Sequence, residues 1–227
     1  MGERIEQFEL PASDARHEIH RRIGDRLPTR SELLQARPLY YRVPDDENHG
    51  LEHTGLVLAP ALVLGELINH EYIQAGFEPI FADDDFQALR LAAAYHDSHS
   101  SGTAEGYAEH GKRAASWVRE SLKGVYAQPV LFSAAYLIEH HVPDDDPLTM
   151  TDLLATFKDA DGGARVRFGK EKWGLIVDYL RYDISRQFLV GPMRSAYEAA
   201  VSLRGEISDG FTRAIQANVQ AGLVLDR

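Results

Sequence analysis

Apolar residues return every third or fourth position along almost the whole chain, the period of a helix with one buried face. No run alternates strictly in the Val-, Ile- and Thr-rich manner of a half-buried strand. The expected fold is therefore all-α. Ser13 or Asp14 suits the cap of a first helix reaching about residue 25, and Pro28-Thr29 restarts a short one over 31–36. Pro38, Pro44 and the stretch DDENHG read as a loop. A long apolar helix follows over 51–76, with a kink expected at Pro60. The three acids at 83–85 suit the positive end of the next helix, which ends at His96-Asp97. After a polar, glycine-containing loop over 98–106 come helices over 108–123 and 129–142, the second opened by Pro129. Pro143 and the acids at 144–146 make another loop, and Thr149 or Thr151 starts a helix that runs to Gly162-Gly163. From Lys170 onwards two or three further helices are expected, with breaks near Gly191-Pro192 and Gly205.

At 227 residues, with no internal repeat and no low-complexity linker, the chain reads as a single-domain helical bundle. An N-terminal helical arm over 1–48 precedes a core over 49–168, and helices over 169–227 pack on that core. The absence of cysteine excludes disulfides, zinc–thiolate sites, iron–sulfur clusters and cysteine nucleophiles. A net charge of −11 removes the positive field that supplies most affinity for long nucleic acids. The opening MGERIEQFEL carries early acids and no apolar core of a signal peptide. In the apolar zone the charge-free stretch, 53–65, falls short of the ~18 residues that a membrane span needs. Cytoplasmic localisation without membrane association is the expectation, and oligomeric state is not legible.

Ten histidines stand out, and their helical phase matters more than their number. His53 shares a stripe with Leu56, Val57, Pro60, Leu64 and Leu67. Phe86, Leu89 and Ala93 lead to His96 and Asp97. His110 aligns with Ala114 and Trp117. Val130, Ala134, Leu137 and Ile138 lead to His141, with His140 one step round. Leu154 and Phe157 lead to Asp161, whereas Asp159 falls on the side of Asp152 and Ala155. Imidazoles and acids thus recur on the inward edges of five successive helices. A buried carboxylate needs a partner, and converging imidazoles and carboxylates in a bundle core commonly hold a divalent metal. Nitrogen and oxygen ligands without thiolate favour Mn, Fe, Co, Ni, Zn or Mg. His17, His20 and His70 read as surface residues.

The stretches HGLEHTGLVL, LAAAYHDSHS and FKDADGGARVR, with YAEHGKRAASWV and LIEHHV between the last two, resemble the HD-domain metal-dependent phosphohydrolase superfamily. The resemblance covers about 49–168. It implies a helical bundle of the HD type whose metal is held by His53, His96, Asp97 and Asp161. His110, His140 and His141 match positions that complete a second site in members with two ions, with Asp97 as the bridge. His49 precedes the first ligand and is expected to face the pocket. Three departures are plain: Leu56 stands where many members have arginine, Gly162-Gly163-Ala164 replaces a bulky residue and an aspartate, and Ser98-His99 lacks an acid used by some nucleotide hydrolases.

The activity implied is hydrolysis of a small phosphate ester or nucleotide by a metal-activated water, with one or two ions. Lys112 and Arg113 are the preferred cations for the developing phosphoryl charge, Lys158, Arg165 and Arg167 are further candidates for substrate contact, and His99 is a candidate proton donor to the leaving group. A di-iron oxygenase on the same scaffold and a non-catalytic ligand-binding or signalling module are the alternatives. The last predicts a missing ligand, and none of the four principal positions is missing.

Overall fold

The computed structural model describes residues 10–46, 48–101, 109–142, 145–168 and 179–227. Among them the regular structure is helical, with isolated bridges only at Thr29–Leu225 and Lys123–Tyr126. The helices are α1 (Ala12–Ile23), α2 (Arg30–Gln35), α3 (Leu51–Gln74), α4 (Asp83–Tyr95), α5 (His110–Ser121), α6 (Gln128–His140), α7 (Asp152–Gly163), α8 (Asp183–Phe188), α9 (Val190–Ser202) and α10 (Gly210–Gln220).

Most ends follow the local chemistry. Thr29 and Glu32 form a reciprocal capping box on α2. Thr151, not Thr149, caps α7 by accepting from the Leu154 N–H. Pro129 lies in the first turn of α6. The expected start of α1 is corrected: the Pro11 carbonyl accepts from Asp14 and Ala15, so the helix begins at Ala12 and holds Ser13 and Asp14 in its first turn. That helix stops at Ile23, and 3-10 geometry carries the chain on to Arg26. The expected start of the 108–123 helix lies outside the described residues, as does the expected tail start at Lys170. Near Gly191-Pro192 the break falls just ahead, at Leu189, and Pro192 sits in the first turn of α9, where a missing N–H costs nothing.

Helix α3 is the axis. It is apolar on nearly every side, and Pro60 lies within it without ending it. By length and mean hydropathy (1.4) it would pass for a membrane span, although no charge-free stretch of the sequence is that long. Burial accounts for its composition: 89% of the apolar window is inside the fold, covered by α4, α7 and α10. α4 and α5 both pack on α6, and α9 packs on α10. The turn from α3 to α4 is stapled by Asn69, whose side chain donates to the Phe81 carbonyl and accepts from the Phe81 N–H at 2.8 and 2.9 Å.

Two close contacts set the register of α3 on α10. A Cβ at Gly55 would lie 2.6 Å from the Ala214 Cβ, so only glycine admits this crossing. Asn218, fully buried, donates to both the Gly55 and Ala214 carbonyls at 3.0 Å. Beside it Glu52, next to His53, pairs with Arg204 and Arg213 and pins the first turn of α3 to the C-terminal helices. We expect Gly55→Leu to lower the denaturant midpoint by the equivalent of about 1–3 kcal/mol through overpacking. An unchanged midpoint would mean that this crossing is looser than described.

Candidate metal centre

Five of the six converging ligands lie at helix ends, and the sixth, His53, lies in the first turn of α3. His96 follows the last residue of α4 and His141 the last residue of α6. Carbonyls in a final helical turn lack intrahelical partners. Each imidazole uses its Nδ1–H on the carbonyl three residues back: His96 on Ala93 at 3.0 Å and His141 on Ile138 at 2.6 Å. That bond fixes the tautomer and aims Nε2 away from the helix, as metal-ligating histidines are commonly held. His110 opens α5, and Asp161 lies in the last turn of α7, four residues after Phe157. The Phe157 ring is fully buried and packs edge-on against both His96 and His141.

The ligand atoms form two groups. In one, His53 Nε2 lies 3.0 Å from Asp161 Oδ1 and 3.3 Å from His96 Nε2. In the other, His110 Nε2 lies 2.9 Å from Asp97 Oδ1 and 3.1 Å from His141 Nε2. Asp97 joins them: its Oδ2 is 3.3 Å from His96 and 3.5 Å from His53, while its Oδ1 faces His110 and, at 3.6 Å, His141. Ligands about 2.1 Å from a common ion lie roughly 3.0–3.4 Å apart in octahedral or tetrahedral arrangement. The shorter separations match that spacing and the longest, His141–Asp97 and His96–Asp161, are 3.6 and 3.7 Å, so the donor set fits one divalent ion per group with Asp97 shared. Five of the six residues are at most 7% exposed, whereas the Asp161 side chain is 17% exposed, so the centre opens to solvent on the Asp161 side.

The electrostatics agree with a site built for positive charge. Burial disfavours a charged His96, but Asp97 and Asp161 outweigh it and hold the imidazole up at about 9. Burial opposes ionisation of Asp97 and Asp161 too, and the surrounding imidazoles win, holding both carboxyls well below the usual range. Burial pushes His141 down, towards the neutral form a ligand needs. With no ion bound, a proton on His96 stands in for part of the missing charge.

The other expected residues divide. His49 faces the centre, its ring 6.5 Å from His53 and 6.3 Å from His110. His140 belongs to neither group; its ring lies 4.5 Å from Tyr136. Asp159 turns away, as its helical phase requires, and accepts from the Arg181 and Tyr182 N–H groups and the Ser185 hydroxyl, docking the start of α8. Lys158 bonds Asp145 at 3.0 Å and the His140 carbonyl at 3.4 Å, which places it in a bridge between α6 and α7. Lys112 is exposed and pairs with Glu109; Arg113 and Arg165 are also exposed. The Arg167 side chain lies outside the described residues. His99 packs on Tyr40 and Trp117. Burial and the charges of Arg113 and Arg42 push it down, which works against a role as proton donor at neutral pH. Nothing in the sequence singles out Tyr41, whose hydroxyl bonds Thr54 and the His49 carbonyl beside the centre; the available signal was the Tyr-Tyr-Arg run inside a proline-bounded loop.

Comparison of the chain with family models, with curated proteins and with solved structures found no match.

Two outcomes follow. Elemental analysis should find about two divalent ions per chain. His141→Ala should retain about one and Asp97→Ala none, since the second removes the shared ligand; equal losses in both would contradict the bridge. In chelator-treated protein, His96 stabilises the fold fully below its unfolded value of about 6.5, and that contribution is lost as pH rises towards 9. Thermal midpoints should therefore fall between pH 6.5 and 9, with a shallower fall in His96→Gln.

Proposed function

We propose that this chain is an HD-type metal-dependent phosphohydrolase acting on a small phosphate ester or nucleotide. The observation that carries the reading is the Asp97 carboxylate shared between two imidazole groups, with the ligands in the chain order that the sequence resemblance implies. His53, His96, Asp97 and Asp161 would hold one divalent ion, and Asp97, His110 and His141 the other. Bound there, such ions lower the pKa of water towards about 7 and neutralise phosphoryl oxygens.

The residues of the chain provide the rest. Among the described residues two carboxylates, Asp97 and Asp161, face the centre, and against them a pair of divalent ions leaves a positive surplus that favours a phosphate dianion. The Nδ1 bonds of His96 and His141 keep both rings from turning when substrate arrives. Phe157 closes the floor and excludes water from beneath them. Hydrolysis joins a water oxygen to phosphorus and breaks the ester P–O bond, and the departing oxygen needs a proton. His49, beside both groups, outside the ligand set and steadied by Asp46 at 3.6 Å, is the group we assign to supply it.

A panel of phosphate esters and nucleotides should show phosphate release that chelation abolishes and metal restores. His96→Ala and Asp97→Ala should lose at least about a thousandfold in kcat/KM, equivalent to about 4 kcal/mol of transition-state stabilisation. His49→Gln should lower kcat at unchanged metal content. Full activity in the His96 and Asp97 variants would remove the reading. The bridged pair also suits an iron-dependent oxygenase, and bound iron with oxygen uptake and no phosphate release would select it instead.

A further inference from the structure

Beyond the ligands, a cluster of aromatic rings packs around Trp117 of α5. His110, Arg113 and Trp117 follow one another on α5 at spacings of three and four, which puts them on one face. Two turns separate His110 from Trp117, about 10 Å along the axis. Trp117 packs on two neighbours: the Tyr40 ring stacks on it 5.7 Å away at 27°, and the Tyr95 ring lies tilted 5.2 Å away at 32°. The His99 ring leans on both Tyr40 and Trp117, at 5.0 and 6.0 Å. Tyr40 ends this column and is 41% exposed.

An exposed tyrosine on a loose loop would mean little, but this loop is fastened on both sides of the ring. The Leu39 N–H donates to the Tyr95 hydroxyl at 2.9 Å, and the Arg42 N–H donates to the Ser98 carbonyl at 2.9 Å. The Tyr41 hydroxyl donates to the His49 carbonyl at 2.6 Å. The segment thus runs from the ring column at Tyr40 to the metal-ligand groups at His49, and its hydrogen bonds hold those ends in register. The charges of Arg42 and Arg113 both reach His99, so the column is flanked by cations on a chain that is otherwise acidic.

We propose that the outer face of Tyr40 is the seat for a flat aromatic ring of the substrate, so that this centre selects phosphate esters carrying such a ring over those without one. The ring stacks on Tyr40 while the phosphate lies at the shared-Asp97 centre, to which the column is joined by His99, two residues after Asp97 and against both Tyr40 and Trp117. The phosphate end of this assignment rests on the phosphohydrolase reading; the ring end rests on the stacked column alone.

The test uses adenosine 5′-monophosphate and ribose 5-phosphate, which differ by the base. Binding is read by tryptophan fluorescence in stopped flow ahead of any turnover, with ribose 5-phosphate as competitor. The full chain should bind the nucleotide about tenfold or more tightly than the sugar phosphate, the scale of one base stacked on one side chain. Y40A should bring nucleotide affinity down to the sugar phosphate level, and Y40F should retain the wild-type preference. Equal affinities in the wild type, no binding of either probe, or a Y40A variant that keeps the preference would overturn the ring seat. Ring-dependent binding without phosphate release would leave the seat standing and remove the phosphohydrolase reading. Release from both esters at equal kcat/KM would do the reverse.

Discussion

A carboxylate buried among imidazoles is the constraint to which the rest of the bundle is fitted. Asp97 is 2% exposed, and an ionised carboxylate accepts hydrogen bonds but cannot donate them. Burying such a group uncompensated costs several kcal/mol. Its two oxygens face different pairs of imidazoles, His53 and His96 on one side, His110 and His141 on the other. With two of those rings fixed by Nδ1 bonds so that bare Nε2 atoms point inward, lone pairs face lone pairs until a proton or a cation lies between them. The arrangement is thus coherent only with positive charge at its centre.

The helices deliver these atoms by their ends more than by their faces. α4 and α6 terminate where an imidazole can satisfy a last-turn carbonyl. α5 begins at His110, and its next residue, Gly111, lets α5 approach α6: a Cβ there would lie 2.7 Å from the Ile138 carbonyl oxygen, the same carbonyl that holds His141. His110 and His141 meet because that approach is open. On α7 the division of labour is equally physical. Asp159 anchors the C-terminal helices through backbone N–H groups and Ser185, leaving Asp161, half a turn on, to face the centre.

Much of this was legible in the sequence, for a geometric reason. A helical period fixes relative direction within one element, so Asp161 separates cleanly from Asp159 and the inward stripes of α3 to α7 can be read directly. The same rule is weaker for His140 and His141, because Leu137 and Ile138 are both buried and the apolar stripe is too broad to choose between adjacent residues. Sequence proximity carries no directional information across elements, which is why Lys158 and Lys112, close to ligands in the chain, turn to Asp145 and Glu109. Loops have no period at all, so the placing of Tyr40, Tyr41 and Arg42 stays hidden until Leu39 and Arg42 are seen fastened to Tyr95 and Ser98. Hydropathy alone likewise cannot say whether α3 faces lipid or other helices; the packing of α4, α7 and α10 does.

X-ray absorption at the edge of whichever divalent metal the protein retains interrogates Asp97 without reference to any substrate. A carboxylate shared between two ions predicts a shell of nitrogen and oxygen at about 2.0–2.2 Å, imidazole scattering, and a metal–metal vector near 3.5–4 Å that disappears in Asp97→Ala. A shell of oxygen alone, with neither imidazole scattering nor a second metal, would contradict a centre built on these histidines.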